Sequence, residues 1–201
     1  MKDFSYHRPS TVSEAVALLA ASDESRALSG GMTLLPTMKQ RLASPKIVVD
    51  LAALPGLTGI AVEGGNVTIG AMTTHAEVAA SAEIKAAIPA LATLAGLIGD
   101  PQVRHRGTIG GSMANADPSA DYPAAAVGLG ATIITDRREV AADNFFTAMF
   151  QTALEPDEII LAVRFPIPDA AGYAKFRSQA SRFALVGAFV ALRRGQDEAV
   201  Q

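Results

Sequence analysis

Apolar positions along the chain change period several times, and each change predicts an element. After "TVSE" (Thr11 to Glu14), a run with the side chains that cap a helix start, Ala15, Leu18 and Leu19 fall on one helical face. The spacing predicts a short first helix. "LLPTMKQRL" (Leu34 to Leu42) is also helical, with Pro36 in the first turn, where its missing N–H costs nothing. "KIVVDL" (Lys46 to Leu51) is β-branched and stops near the breaker Pro55-Gly56, as a buried strand does. "GIAVEGGNVTIGA" (Gly59 to Ala71) sets two β-rich arms around "EGGN" and predicts a hairpin. Ala82 to Gly99 reads as one long helix bent at Pro89, and "DYPAAAVGLG" from Asp121 as a short one. Strands are expected at "ATIITD", "EIILAVRFPIP" and "ALVGAFVALRR", the last from Ala184 to Arg194. No period repeats, and helices alternate with hairpin strands without a regular βαβ cycle. The expected class is α+β with mostly antiparallel or mixed sheets.

Composition narrows the partners. At 201 residues, 49% hydrophobic and 18% charged, the chain can bury one large core or two small ones. Seventeen basic residues against twenty acidic ones give a net charge of −3, and basic runs stop at the pairs Arg137-Arg138 and Arg193-Arg194. Nucleic acid is not an expected partner, because binding it leans on clustered positive charge. No window reaches the ~18 apolar residues of a membrane span, and "MKDFSYHRPS" lacks the apolar stretch of a secretory signal, so a cytoplasmic location is expected. Cysteine is absent, which leaves no thiolate nucleophile and no ligands for a cysteine-held iron–sulfur cluster in this chain.

Two glycine doublets carry the candidate chemistry, in "LSGGMTLLP" (Leu28 to Pro36) and "GTIGGSMANADP" (Gly107 to Pro118). Glycine lets a ligand touch the main chain without a Cβ in the way, and converging N–H groups suit a phosphate or diphosphate. Tight turns would explain either doublet alone. Both are flanked by short hydrogen-bonding side chains, Ser29, Thr33, Thr108, Ser112 and Asn115, which favours the binding reading. Neither G-x-G-x-x-G nor G-x-x-x-x-G-K-[ST] occurs, so a Rossmann unit and a P-loop are both unsupported.

These motifs, with "DPQVRHRGTIGGSMANADPSADYPAA", "PDEIILAVRFP" and "QASRFALVGAFVAL", resemble in order the FAD-binding subunit or domain of the molybdenum hydroxylases, the family of xanthine dehydrogenase and the medium subunit of aerobic carbon monoxide dehydrogenase. The resemblance implies a two-lobed FAD domain over residues 1–171, with lobes at about 1–55 and 56–171, and the truncated beginning of a small C-terminal α+β domain at 172–201. It implies FAD here, and molybdopterin and [2Fe–2S] clusters on a large and a small partner subunit. Carried over, Ala27, Leu28, Ser29, Gly30, Gly31, Met32, Thr33 and Leu34 contact the diphosphate, with Met32 standing where many relatives place a polar residue. Thr108, Ile109, Gly110, Gly111 and Ser112 hold the diphosphate and ribityl side by N–H and hydroxyl contacts. Asp121 accepts from cofactor hydroxyls, and Ile98 and Ile160 pack on flavin or adenine. Lys175 faces the flavin, or Ser178 does. No residue of this chain is expected to be catalytic in itself.

Other constellations read as structural. "HAE" (His75 to Glu77) is half of a zinc-deaminase signature without its cysteines, so His75 is expected to be structural or on the surface. His105 between two arginines reads as a solvated loop, and Asp117, Asp121 and Asp136 as turn and cap residues rather than metal ligands. The functional expectation is an FAD-carrying electron-transfer subunit; a non-redox nucleotide-phosphate binding module and a standalone FAD oxidase are the alternatives.

Overall fold

A computed structural model describes residues 1–194; the last part of the segment expected to begin a C-terminal domain, 195–201, lies outside the described residues. The first 55 residues form a small parallel sheet in the order β1 (Ser5–His7), β3 (Ile47–Asp50), β2 (Ser25–Leu28). Helix α1 (Val12–Ala20) covers it, and Ala15 and Leu19 pack with Val49, Leu51 and Leu54 in one core. The start signal at Thr11 is half used. Its hydroxyl accepts from Glu14 N–H at 3.2 Å, while the Glu14 carboxylate takes the N–H of Ser10 at 2.9 Å. Strand β2 runs through the first glycine doublet into α2 (Leu34–Lys39).

The rest of the core is an antiparallel sheet ordered β4 (Ile60–Glu63), β5 (Asn66–Gly70), β10 (Ile160–Pro166), β6 (Thr132–Thr135), β7 (Glu139–Ala141). Gly64 and Gly65, at φ 56° and 74°, make the two-residue turn that "EGGN" predicts. Helices α3 (His75–Ala80), α4 (Ala82–Ala87), α5 (Pro89–Gly96), α6 (Pro101–Arg104), α7 (Ile109–Asn115), α8 (Tyr122–Gly128) and α9 (Ala142–Phe145) complete this part, and most of them bury residues in its core. The long helix expected over 82–99 is two. Ile88, forced out of helical geometry by the following proline, sits at φ −140° and ψ 73°, and Pro89 opens α5 instead of bending one helix. The α+β class holds; one sheet is wholly parallel and the larger one wholly antiparallel.

Two hairpins remain, β8 (Phe146–Ala148) with β9 (Gln151–Thr152), and β11 (Ala170–Arg177) with β12 (Ala184–Leu192). Tyr173, Phe189 and Ala191 of the second press on the larger core. Among the described residues no helix is long and apolar enough to cross a membrane.

Candidate functional site

The first glycine loop is a row of unused donors. Gly31 at φ 72° turns the chain from β2 toward α2, a conformation open to glycine and strained for L side chains. None of the six main-chain N–H groups from Ser29 to Leu34 donates to another described residue, although Gly31 O accepts from Leu35 N–H at 3.1 Å. Gly30 is required for a different reason: a Cβ there would lie 2.0 Å from the carbonyl oxygen of Arg106. What approaches this backbone most closely within the protein is the other glycine loop.

The second loop spends its donors internally. Ile109 N–H bonds Thr73 O at 3.1 Å, Gly110 N–H bonds Ala71 O at 2.8 Å, and Ser112 N–H bonds Thr108 O at 3.0 Å. Gly111 N–H goes to the Thr108 hydroxyl at 3.1 Å, because Thr108 is the N-cap of α7. The expected N–H contacts from this motif therefore find those groups engaged; Gly111 and the short side chains of Thr108 and Ser112 are what it offers a ligand. The two loops are joined where Ser29 Oγ and Thr108 Oγ1 lie 2.6 Å apart.

Between them lies a cavity of about 660 Å³, within the usual range of about 300–1,000 Å³ for ligand pockets. Its wall includes the whole stretch from Ala27 to Leu34, and also Ile98, Thr108, Gly110, Gly111, Ser112, Asp121 and Ile160. Two expected contacts are not on it. Ile109 is fully buried in the larger core, since it is the first residue of an N-capped helix turned inward. The Lys175 side chain is 1% exposed, with Nζ 2.9 Å from the Asp121 carboxylate and 3.1 Å from Leu97 O. Ser178 is off the wall as well, its N–H bonded to Phe183 O at 2.8 Å in the turn of the last hairpin. The Tyr173 hydroxyl also donates to Asp121; burial, then that bond, pushes the Tyr173 hydroxyl pKa above its ordinary value. Asp121 is thus a protein-bonded anion at the cavity edge, tying β11 to the start of α8.

Several wall residues were not singled out from the sequence. Arg26, Thr37, Leu42 and Leu51 bring one wing of the cavity into the N-terminal sheet and helix, and Ser181 to Phe183 bring the tip of the last hairpin. Glu158 is held by Arg138 at 2.7 Å and by the Thr135 hydroxyl at 2.8 Å; the Arg138 bond above all lowers its pKa to about 2. That pair fixes the segment carrying the wall residues Leu154, Ile159 and Ile160. His75 is not at the surface: it is 5% exposed, on the wall, and its pKa is lowered to about 4 by burial and then by Arg104. His105 is exposed, its Nδ1 2.6 Å from Pro101 O. No cluster of metal-binding side chains occurs among the described residues. Asp117 closes a turn by accepting Ser119 N–H at 2.8 Å, and Asp136 accepts Ile159 N–H at 2.7 Å.

The model of the FAD binding domain in molybdopterin dehydrogenase matches residues 2–168. The chain belongs to that family. It is 40% identical over 199 residues to the carbon monoxide dehydrogenase medium chain of Hydrogenophaga pseudoflava, covering 95% of this chain and 69% of that one. It is 34% identical to the xanthine dehydrogenase FAD-binding subunit of Escherichia coli O157:H7, covering 83% of this chain and 59% of that one. The solved carbon monoxide dehydrogenase from Hydrogenophaga pseudoflava that lacks the Mo-pyranopterin moiety superposes with a TM-score of 0.93 at 39% identity, over 100% of this chain and 72% of that one. FAD is the cofactor of this domain, and the residues present fit it: a row of N–H groups without partners among the described residues for a diphosphate, hydroxyls beside it, and apolar side chains such as Ile98 and Ile160 in the wall.

Proposed function

We propose that this FAD-binding domain carries electrons within a molybdenum-dependent oxidoreductase, receiving them from [2Fe–2S] clusters on a small subunit that serve a molybdenum cofactor on a large one. The free donors from Ser29 to Leu34 carry the reading, because a diphosphate satisfies them without any lysine. The Thr108 and Ser112 hydroxyls reach the ribityl side, and Ile98 and Ile160 exclude water from the ring systems. Asp121 keeps spare lone pairs for cofactor hydroxyls while Tyr173 and Lys175 hold it in place. Bound FAD supplies the redox chemistry; the chain supplies position and electrostatics. Absence of cysteine fits clusters held on another chain, and the relatives named medium chain and FAD-binding subunit support an assembly of several chains. A cytoplasmic location belongs to the same proposal, as does a domain boundary near residue 171, with the β11–β12 hairpin opening a second unit.

Purified protein is expected to show a flavin absorbance spectrum that dithionite bleaches, and mass spectrometry of the intact complex is expected to find a large molybdopterin chain and a small cysteine-rich one. Colourless protein that binds nucleotides would favour a non-redox module. Flavin-loaded protein that oxidises a substrate with no other chain present would favour a standalone oxidase.

A further inference from the structure

We infer that His75 is a cofactor-binding residue, its Nε2–H donating to an acceptor atom on the flavin half of the nucleotide. The inference rests on the FAD reading above. Three observations outside the glycine motifs carry it.

The first is placement. The Thr74 cap, whose hydroxyl and N–H both meet the Glu77 carboxylate at 2.7 Å, fixes the start of α3, and His75 N–H bonds Gly107 O at 3.0 Å. The imidazole is thereby set into the cavity wall against Gly107, whose hypothetical Cβ would lie 2.6 Å from Nε2.

The second is the orphaned Nδ1. It is buried without a hydrogen-bond partner among the described residues, as is the hydroxyl of Tyr122, whose ring centroid is 5.4 Å from that of His75. A buried N–H without a partner costs more than a buried lone pair, so the proton belongs on Nε2 and Nδ1 keeps the lone pair. A histidine serving only the core would pair both nitrogens; this one presents its donor edge beside Gly107 and the wall. Burial keeps the ring neutral near pH 7, and the charged group acting on it from a neighbouring element is Arg104 of α6.

The third is the chemistry of the wall around it: the cavity wall that carries His75 also carries the buried carboxylate of Asp121. The flavin half, with its ring carbonyls, ring nitrogens and ribityl hydroxyls, needs such polar partners; an adenine ring stacked between aliphatic side chains needs fewer.

The test uses the 201-residue chain stripped of flavin, titrated with FAD and FMN by fluorescence and with ADP by competition. FMN carries the flavin half and ADP the other. His75→Phe keeps a planar ring and removes the donor, and it is expected to weaken FAD and FMN alike by about tenfold, about 1.4 kcal/mol, with ADP unchanged. His75→Gln restores a donor and is expected to stay within about threefold of wild type. Unchanged FMN affinity in a folded His75→Phe, or ADP weakened as much as FMN, overturns the inference. If His75→Phe fails to fold, a folded His75→Gln that loses FMN tenfold overturns it too. A wild-type chain that binds neither FAD nor FMN sinks the FAD reading itself, and this inference with it.

Discussion

The two glycine loops look alike as strings and differ as structures. Around Gly30-Gly31 the chain leaves a strand, turns through a positive φ, and keeps six N–H groups without partners among the described residues. Around Gly110-Gly111 it enters a helix capped by Thr108, and every N–H from Ile109 to Ser112 is satisfied. The first loop offers main-chain donors; the second offers side chains, and uses small residues to pack tightly. Gly110 lies against Ala71, and Gly107 against His75. A repeated motif is therefore no guide to a repeated role; where the donors go decides.

The largest effect expected on the second side is from Asp121→Asn, which leaves the buried Lys175 ammonium without its partner. Breaking a buried pair from one side costs about 3–5 kcal/mol, read as a fall in the denaturation midpoint, and adding Lys175→Met should recover most of it. Should the single variant keep wild-type stability, Asp121 serves the cofactor more than the fold.

Acid should act through the floor of that same side. The His75 pKa lies near 4 in the folded chain, against about 6.5 unfolded, so the unfolded state binds the extra proton. This contribution, about 3 kcal/mol, is complete above about pH 6.5 and is lost as pH falls from there toward 4. Glu158, held near 2, is lost only in a lower window, as pH falls from about 4.5. Denaturant titrations across pH 4–6.5 should show the slope in wild type and a flat line in His75→Gln; equal slopes would remove His75 as its source.

On the first side, Gly30→Ala forces a Cβ onto Arg106 O, whereas a Cβ at Gly111 would meet the Thr108 hydroxyl at 3.0 Å and Ser29 at 3.5 Å. FAD retention, followed by dialysis and absorbance, should fall at least a hundredfold, about 2.7 kcal/mol, for the first and much less for Gly111→Ala. Equal losses would erase the distinction between the loops. The smallest change expected is from Ser112→Ala. Loss of one neutral hydroxyl contact, about 1 kcal/mol, should weaken FAD about fivefold in the same assay, and no change would take Ser112 out of the site.

Much was legible in the sequence because local chemistry determines it. The cap at Thr11, the "EGGN" turn and the alternating strands are each set within a few residues, and together they give the α+β class; the wall from Ala27 to Leu34 was legible through the resemblance that the glycine motifs carry. Tertiary structure decided what depends on partners far along the chain. That Lys175 answers Asp121 across 54 residues, that Gly30 is glycine because of Arg106, and that His75 lies in the wall rather than at the surface all follow from which loops the two sheets bring together. Burial and hydrogen-bond partners at such separations have no local signature, since any polar residue beside a turn can face water or the interior until the packing chooses.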